Sequence, residues 1–167
     1  MSQKAIYRRA WGKSIALMLS LCAMVAAPVS GSAQTSQPPY WASIDEDVAR
    51  TRTGPSTEYK IMWVYERKNL PVKIIKRYGV WRQIEDPDGT QGWMHARLLS
   101  RTRTAMVIGE IRAMHTAPSA EAEIAWRLEP GVVGKLGDCT ESGWCGFDVN
   151  GRSGFVRAEH LFGTGEP

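Results

Sequence analysis

Beyond residue 33, apolar residues in this chain fall in short runs and alternations and not in the three-and-four spacing of a helix. Ile61-Met62-Trp63-Val64-Tyr65 is rich in β-branched and aromatic residues, and Leu70 to Ile75 alternates apolar with polar; both predict strands. Val80-Trp81-Arg82-Gln83-Ile84, then Asp88-Gly89, then Gln91-Gly92-Trp93-Met94, predicts strand, turn, strand. The Asp-Gly pair supplies the positive φ that a type I′ hairpin turn demands. Upstream, Ile44 to Thr53 carries Val48, Arg50 and Arg52 in strand alternation before Gly54-Pro55-Ser56 breaks it. His95 to Leu99 is too short for a stable helix and predicts a single 3₁₀ turn.

The pattern then repeats. Trp81 and Gly54-Pro55-Ser56 recur as Trp144 and Ala117-Pro118-Ser119 sixty-three residues later, and Asp88-Gly89 recurs as Asn150-Gly151 after sixty-two. Ile124 to Leu128 matches the Trp63 strand, Gly131 to Leu136 the Val72 strand, and Ala158 to Leu161 the short turn. Ala120 to Arg127 passes locally for a helical turn, but the repeat argues for a strand there. Ile111 to His115 enters the second unit, and Arg101 to Ala105 is a polar join. Each unit has about 55 residues, a size marginal in isolation, so the two are expected to pack together. The fold class is all-β, with two tandem small barrels.

The N-terminus changes how composition is read. Lys4, Arg8, Arg9 and Lys13 precede an apolar stretch, Ser14 to Ala27, and Gly31-Ser32-Ala33 supplies small residues for a cleavage site. This predicts a signal peptide over 1–33, cut after Ala33; the alternative is an uncleaved anchor. Residues 34–44 are then a flexible leader, 45–101 and 102–163 the two repeats, and 164–167 a tail. The expected location is periplasmic, with no membrane span in the mature chain. Beyond residue 33 there are 17 basic and 17 acidic residues, so the basic pI belongs to the leader and gives no argument for nucleic acid. Residues 45–109 carry 12 basic and 8 acidic residues, whereas 110–167 carry 5 and 9. Opposite charge on adjacent halves steers more than it stabilises. Cys139 and Cys145 are the cysteines left after processing, and an exported chain with such a pair predicts a structural disulfide; free thiols or intermolecular pairing are the alternatives.

The Gly-Pro-Ser turn, the Trp-Val-Tyr and Leu-Pro-Val strands, the lone Trp81, and Asp-Gly-x-x-Gly-Trp ending in Leu-Leu together resemble the bacterial SH3-like (SH3b) domain. The tandem variety found in exported Gram-negative proteins is the nearest form. Its second repeat is similar in placing Trp144 before the second cysteine of a Cys-x₅-Cys pair. The likeness covers residues 45–163. It implies a small barrel of five or six strands used as a binding or targeting module, with peptidoglycan or a cell-envelope peptide or protein as partner. Phe155 in place of the hairpin Trp, and Ala117 in place of the turn Gly, argue against equivalent binding by the two halves.

Chemistry is thinly represented. There is no Gly-x-Ser-x-Gly elbow, no His-Glu-x-x-His and no phosphate loop before a helix, so neither a cofactor nor a metal is expected. A cysteine hydrolase using Cys145 with His95, His115 or His160 is the remaining enzymatic alternative, against the expectation of a non-enzyme. Aromatic residues are the better candidates. Tyr59, Trp63, Tyr65, Trp81 and Trp93 are the tentative ligand-binding set, with Tyr59 and Trp81 expected to be most exposed; Trp126, Trp144 and Phe155 are their counterparts. Lys73, Lys76, Arg77 and Arg82 add a basic cluster. The first unit is expected to bind and the second to brace; the alternative is a periplasmic scaffold or interaction protein with no wall ligand.

Overall fold

The computed structural model describes residues 37–167. The expected signal peptide over 1–33 lies outside them. The chain builds two seven-stranded antiparallel sheets and no α-helix among the described residues. The first contains β1 (Tyr40–Ile44), β2 (Ala49–Arg52), β3 (Ile61–Tyr65), β4 (Pro71–Tyr78), β5 (Trp81–Glu85), β6 (Gln91–His95) and β7 (Leu99–Ser100), in the order β3-β2-β6-β5-β4-β1-β7. The second contains β8 (Thr104–Val107), β9 (Arg112–His115), β10 (Ile124–Leu128), β11 (Val133–Cys139), β12 (Trp144–Val149), β13 (Arg152–Arg157) and β14 (Leu161–Phe162), in the matching order. Single 3₁₀ turns at Ala96–Leu98 and Ala158–His160 precede β7 and β14, where the sequence places them.

Alternation divides each sheet into two faces. Ile44, Ala49, Val72, Ile74, Ile84 and Met94 close the first core; Ala105, Val107, Met114, Phe147, Val156 and Leu161 close the second. Tyr65 and Asp86 form a buried polar tie in the first unit, with the Tyr65 hydroxyl donating to Asp86 Oδ2 at 2.9 Å. The equivalent places in the second unit hold Leu128 and Val149, so the same space is filled without a hydrogen bond.

Two expectations need correction. Tyr40–Ile44 falls inside the span read as a flexible leader, yet it forms β1, paired with β4 and β7. Thr104–Val107, in and just after the polar join, forms the equivalent β8. Ala42 and Ile44 lie sixty-three residues before Ala105 and Val107, and all four are buried. The repeat spacing thus extends further upstream than the tryptophan-bearing segments. The first hairpin turn also differs from a type I′ turn. Gly89 has φ 81° but Asp88 does not have positive φ. Pro87 presets the second position of a four-residue turn closed by Gly89 N to Asp86 O at 3.0 Å, and Gly89 forms the bulge that follows. Asp86 Oδ1 accepts from Asp88 N and Thr90 N. Asn150 and Gly151, at φ 55° and 84°, do make the predicted two-residue turn. One residue fewer in that loop is why the spacing drops from sixty-three to sixty-two.

The halves meet along a seam. Trp41 of β1 donates its indole N–H to Gly165 O at 3.0 Å and packs edge-on against Phe162. Arg103 donates to Gly163 O at 2.8 Å. Gly163 has φ 105°, and a Cβ there would lie 2.6 Å from Thr104 O and 3.2 Å from Pro71 Cβ, so only glycine fits. The span read as a tail therefore holds a contact to the first strand.

Candidate functional site

Strand register assembles the site on the solvent face of the first sheet. Across β3, β2, β6, β5 and β4 one row reads Ile61, Arg52, Trp93, Gln83, Lys76, and the next reads His95, Trp81, Tyr78. These residues share a face because each pair is directly opposed in an antiparallel ladder. At the β2 end the face deepens into a groove of about 380 Å³ lined by Arg50, Arg52, Trp81, His95, Arg97 and Leu98, among others. Trp81 is half-buried and meets His95 edge to face, with ring centroids 5.4 Å apart. Arg97 N donates to His95 Nδ1 at 3.2 Å, which orients the imidazole. Arg52 reaches the loop before β3 and donates to Thr57 O and Tyr59 O, at 2.9 and 2.6 Å, tying the groove wall to the sheet. Among the described residues no carboxylate lies within ion-pair distance of Arg50, Arg52 or Arg97. One carboxylate, Glu46, also lines the groove, so three guanidinium groups against one acid leave it net positive beside an indole, a combination suited to a ligand carrying carboxylates and an apolar or ring face.

The second sheet keeps the scaffold and changes the chemistry. Arg50, Arg52, His95 and Arg97 are replaced by Ala113, His115, Arg157 and Glu159. His115 Nδ1 lies 2.8 Å from Ala122 O, doing the bracing that Arg52 does. Trp144 is only 6% exposed, covered edge-on by His115 at 5.2 Å and flanked by Arg157 at 5.5 Å. Arg157 in turn pairs with Glu159 and donates to Ser142 O. A hollow of about 470 Å³ lies on this sheet, floored by Gly137 and Gly146 beside Phe155. Its acid, Asp148, accepts from Ser153 Oγ at 2.6 Å and Gly151 N at 3.1 Å, and those hydrogen bonds hold its carboxyl below the usual range.

The five tentative aromatic residues do not form one patch. Trp81 and Trp93 lie on the grooved face, half-buried. Tyr59 is 49% exposed, and its ring lies over Gly54. Trp63, at 56% exposed, sits on the edge strand β3. Tyr65 is buried, and burial followed by the Asp86 hydrogen bond and charge pushes its phenol well above the ordinary value; it is structural and leaves the set. The basic cluster also splits. Lys73 opposes Glu85 and Lys76 opposes Gln83, whereas Arg82 opposes Met94 on the other face and donates to Tyr40 Oη and Gly79 O. The groove arginines, outside that cluster, were discoverable from the alternation of Arg50 and Arg52, which puts both opposite the core face.

Cys139 and Cys145 are disulfide-bonded across β11 and β12, as expected. Cys145 is buried and has no free thiolate to offer His115 or any other base. No group of three His, Cys, Asp or Glu side chains is placed to hold a metal among the described residues. No helix among them is long and apolar enough to cross a membrane.

The family described as "Bacterial SH3 domain" matches residues 46–101 and 109–163. The chain is 26% identical over 135 residues to YrvJ of Bacillus subtilis (strain 168), a protein named as a candidate N-acetylmuramoyl-L-alanine amidase; the match covers 74% of this chain and 26% of that one. The chain therefore spans about a quarter of that relative's length. Among solved structures, NlpC1 and NlpC2 from Trichomonas vaginalis align at 11% and 10% identity, each with a TM-score of 0.34. Those alignments cover 76% and 77% of this chain and 46% and 49% of theirs, and likeness at that level carries no argument. With both halves matched by one family, the chain belongs to the bacterial SH3 domain family, in tandem.

Proposed function

We propose that the chain is a non-enzymatic recognition module of the cell envelope, and that the first repeat binds peptidoglycan through the Trp81 groove. The observation that carries this is the triad Arg50, Arg52 and Arg97 around the Trp81–His95 pair, whose counterpart in the second repeat, Trp144, is covered by His115 and only 6% exposed. Peptidoglycan supplies what the groove needs: peptide carboxylates for the guanidinium groups, and sugar and alanine faces for the indole. Family membership and a relative named for action on N-acetylmuramoyl-L-alanine support the same ligand class. The second repeat braces the first across the seam.

Retention on purified sacculi tests this. The chain should be retained, with retention falling as salt rises because the contact is charged. Trp81→Ala and Arg50→Glu/Arg97→Glu should each reduce retention by about tenfold, in line with losing a buried aromatic anchor or charge pair. Trp126→Ala in the second repeat should not. No retention at any ionic strength would remove the wall ligand and leave an envelope protein or peptide as partner, which copurification would identify.

A further inference from the structure

The edge strand β3 carries a feature independent of the groove. Ile61, Met62, Trp63 and Val64 are all exposed, at 40–56%, and β3 is hydrogen-bonded to a strand on one side only. Edge strands in folded proteins are ordinarily blunted by a charge, a proline or a cover. The equivalent strand β10 is blunted: Arg127 stands within it and Arg152 stacks over Trp126 at 4.3 Å. Nothing charged interrupts Ile61–Tyr65.

We infer that β3 pairs antiparallel with β3 of a second copy of this chain, centred on Trp63. In that register Ile61 faces Tyr65 and Met62 faces Val64. Lys60, just before the strand, faces Glu66, just after it, and by symmetry this opposition occurs twice. Both residues are exposed, and neither has an ion-pair partner among the described residues. Centring one residue earlier sets Glu58 against Glu66, and one later sets Lys60 against Lys68, so opposite charges select this register. The second repeat does not support the same register. Centring β10 on Trp126 sets Glu123 against Glu129, like charges at both ends. With β10 blunted by Arg127 and the Arg152–Trp126 stack, two-fold pairing through β3 alone uses up that edge and closes as a dimer.

Sedimentation of the full chain as a function of concentration tests this. A monomer–dimer equilibrium is expected. Lys60→Glu should weaken it about tenfold by opposing like charges twice, and Lys60→Glu/Glu66→Lys should restore it. Val64→Lys should abolish the dimer with thermal stability unchanged, since Val64 is exposed; Ala125→Lys on β10 should leave it intact. A chain that remains monomeric to millimolar concentration overturns the inference. So does a dimer indifferent to Lys60 and Glu66, which would give the edge to a different occupant. Sacculus retention of the Val64→Lys monomer separates this result from the groove reading.

Discussion

Gly54 is buried although it opens a surface loop, because the ring of Tyr59 lies on it; a Cβ at position 54 would stand 2.6 Å from three ring atoms. The second repeat has Ala117 and Ala122 at these places, with the same internal hydrogen bonds: Ser56 N to Gly54 O in one, Ser119 N to Ala117 O in the other. The pair has changed together, and the glycine answers to the ring, not to backbone conformation. Gly54→Ala should cost about 1–2 kcal/mol by overpacking, most of it recovered by adding Tyr59→Ala, as thermal melts of the single and double variants would record. Tyr65 gives a second test. Its phenol holds its proton more tightly folded than unfolded, so its contribution is complete below pH ~10 and is lost as pH rises above that. Tyr65→Phe should cost about 1–2 kcal/mol at neutral pH by leaving Asp86 Oδ2 without its donor, and should flatten the alkaline decline. His160 acts in the opposite direction. Burial, then the Arg112 guanidinium, holds its imidazole below the ordinary 6.5, so the folded state binds the proton less readily and stability falls as pH drops through that value. An NMR titration of His160, with Arg112→Gln raising its midpoint, checks the assignment.

At the level of elements, the disulfide and the hairpins show what was readable from residues alone. Trp81, Trp144 and the two Gly-bearing turns located both hairpins, because turn residues have narrow backbone demands. Asp88-Gly89 departs from the turn its dipeptide favours because Pro87, one position earlier, sets φ before the Asp-Gly preference acts. β1 and β8 are masked in the sequence because Tyr40–Ile44 follows two prolines and Thr104–Val107 follows charged residues; only Ala42 with Ala105 and Ile44 with Val107 mark them. The groove was half legible. Trp81 and Trp93 stood out as aromatics, but Arg50, Arg52 and Arg97 come from three places in the chain that only strand pairing brings together. The disulfide joins directly opposed residues in the β11–β12 ladder and closes a short loop. Its reduction should therefore lower stability by only about 2 kcal/mol on the chain-entropy account, measurable as a shift in the urea midpoint with and without reductant.

For the whole molecule, the division of charge gains a structural meaning. The basic excess of residues 45–109 includes the groove arginines, while the acidic excess of 110–167 includes Glu159 in the place of Arg97. The two halves thus have a common architecture and different surfaces. They do not behave as beads on a string, because Trp41, Arg103 and Gly163 lock β1 and β8 to the segment after β14. Tandem modules with a slack joint search for two ligands independently; this seam removes that freedom. Backbone ¹⁵N relaxation should return a single tumbling time for both halves, and Gly163→Ala should split it into two. Any ligand held at Trp81 would then meet the second repeat at one fixed attitude, so that its far side is a ruler and not a second hand.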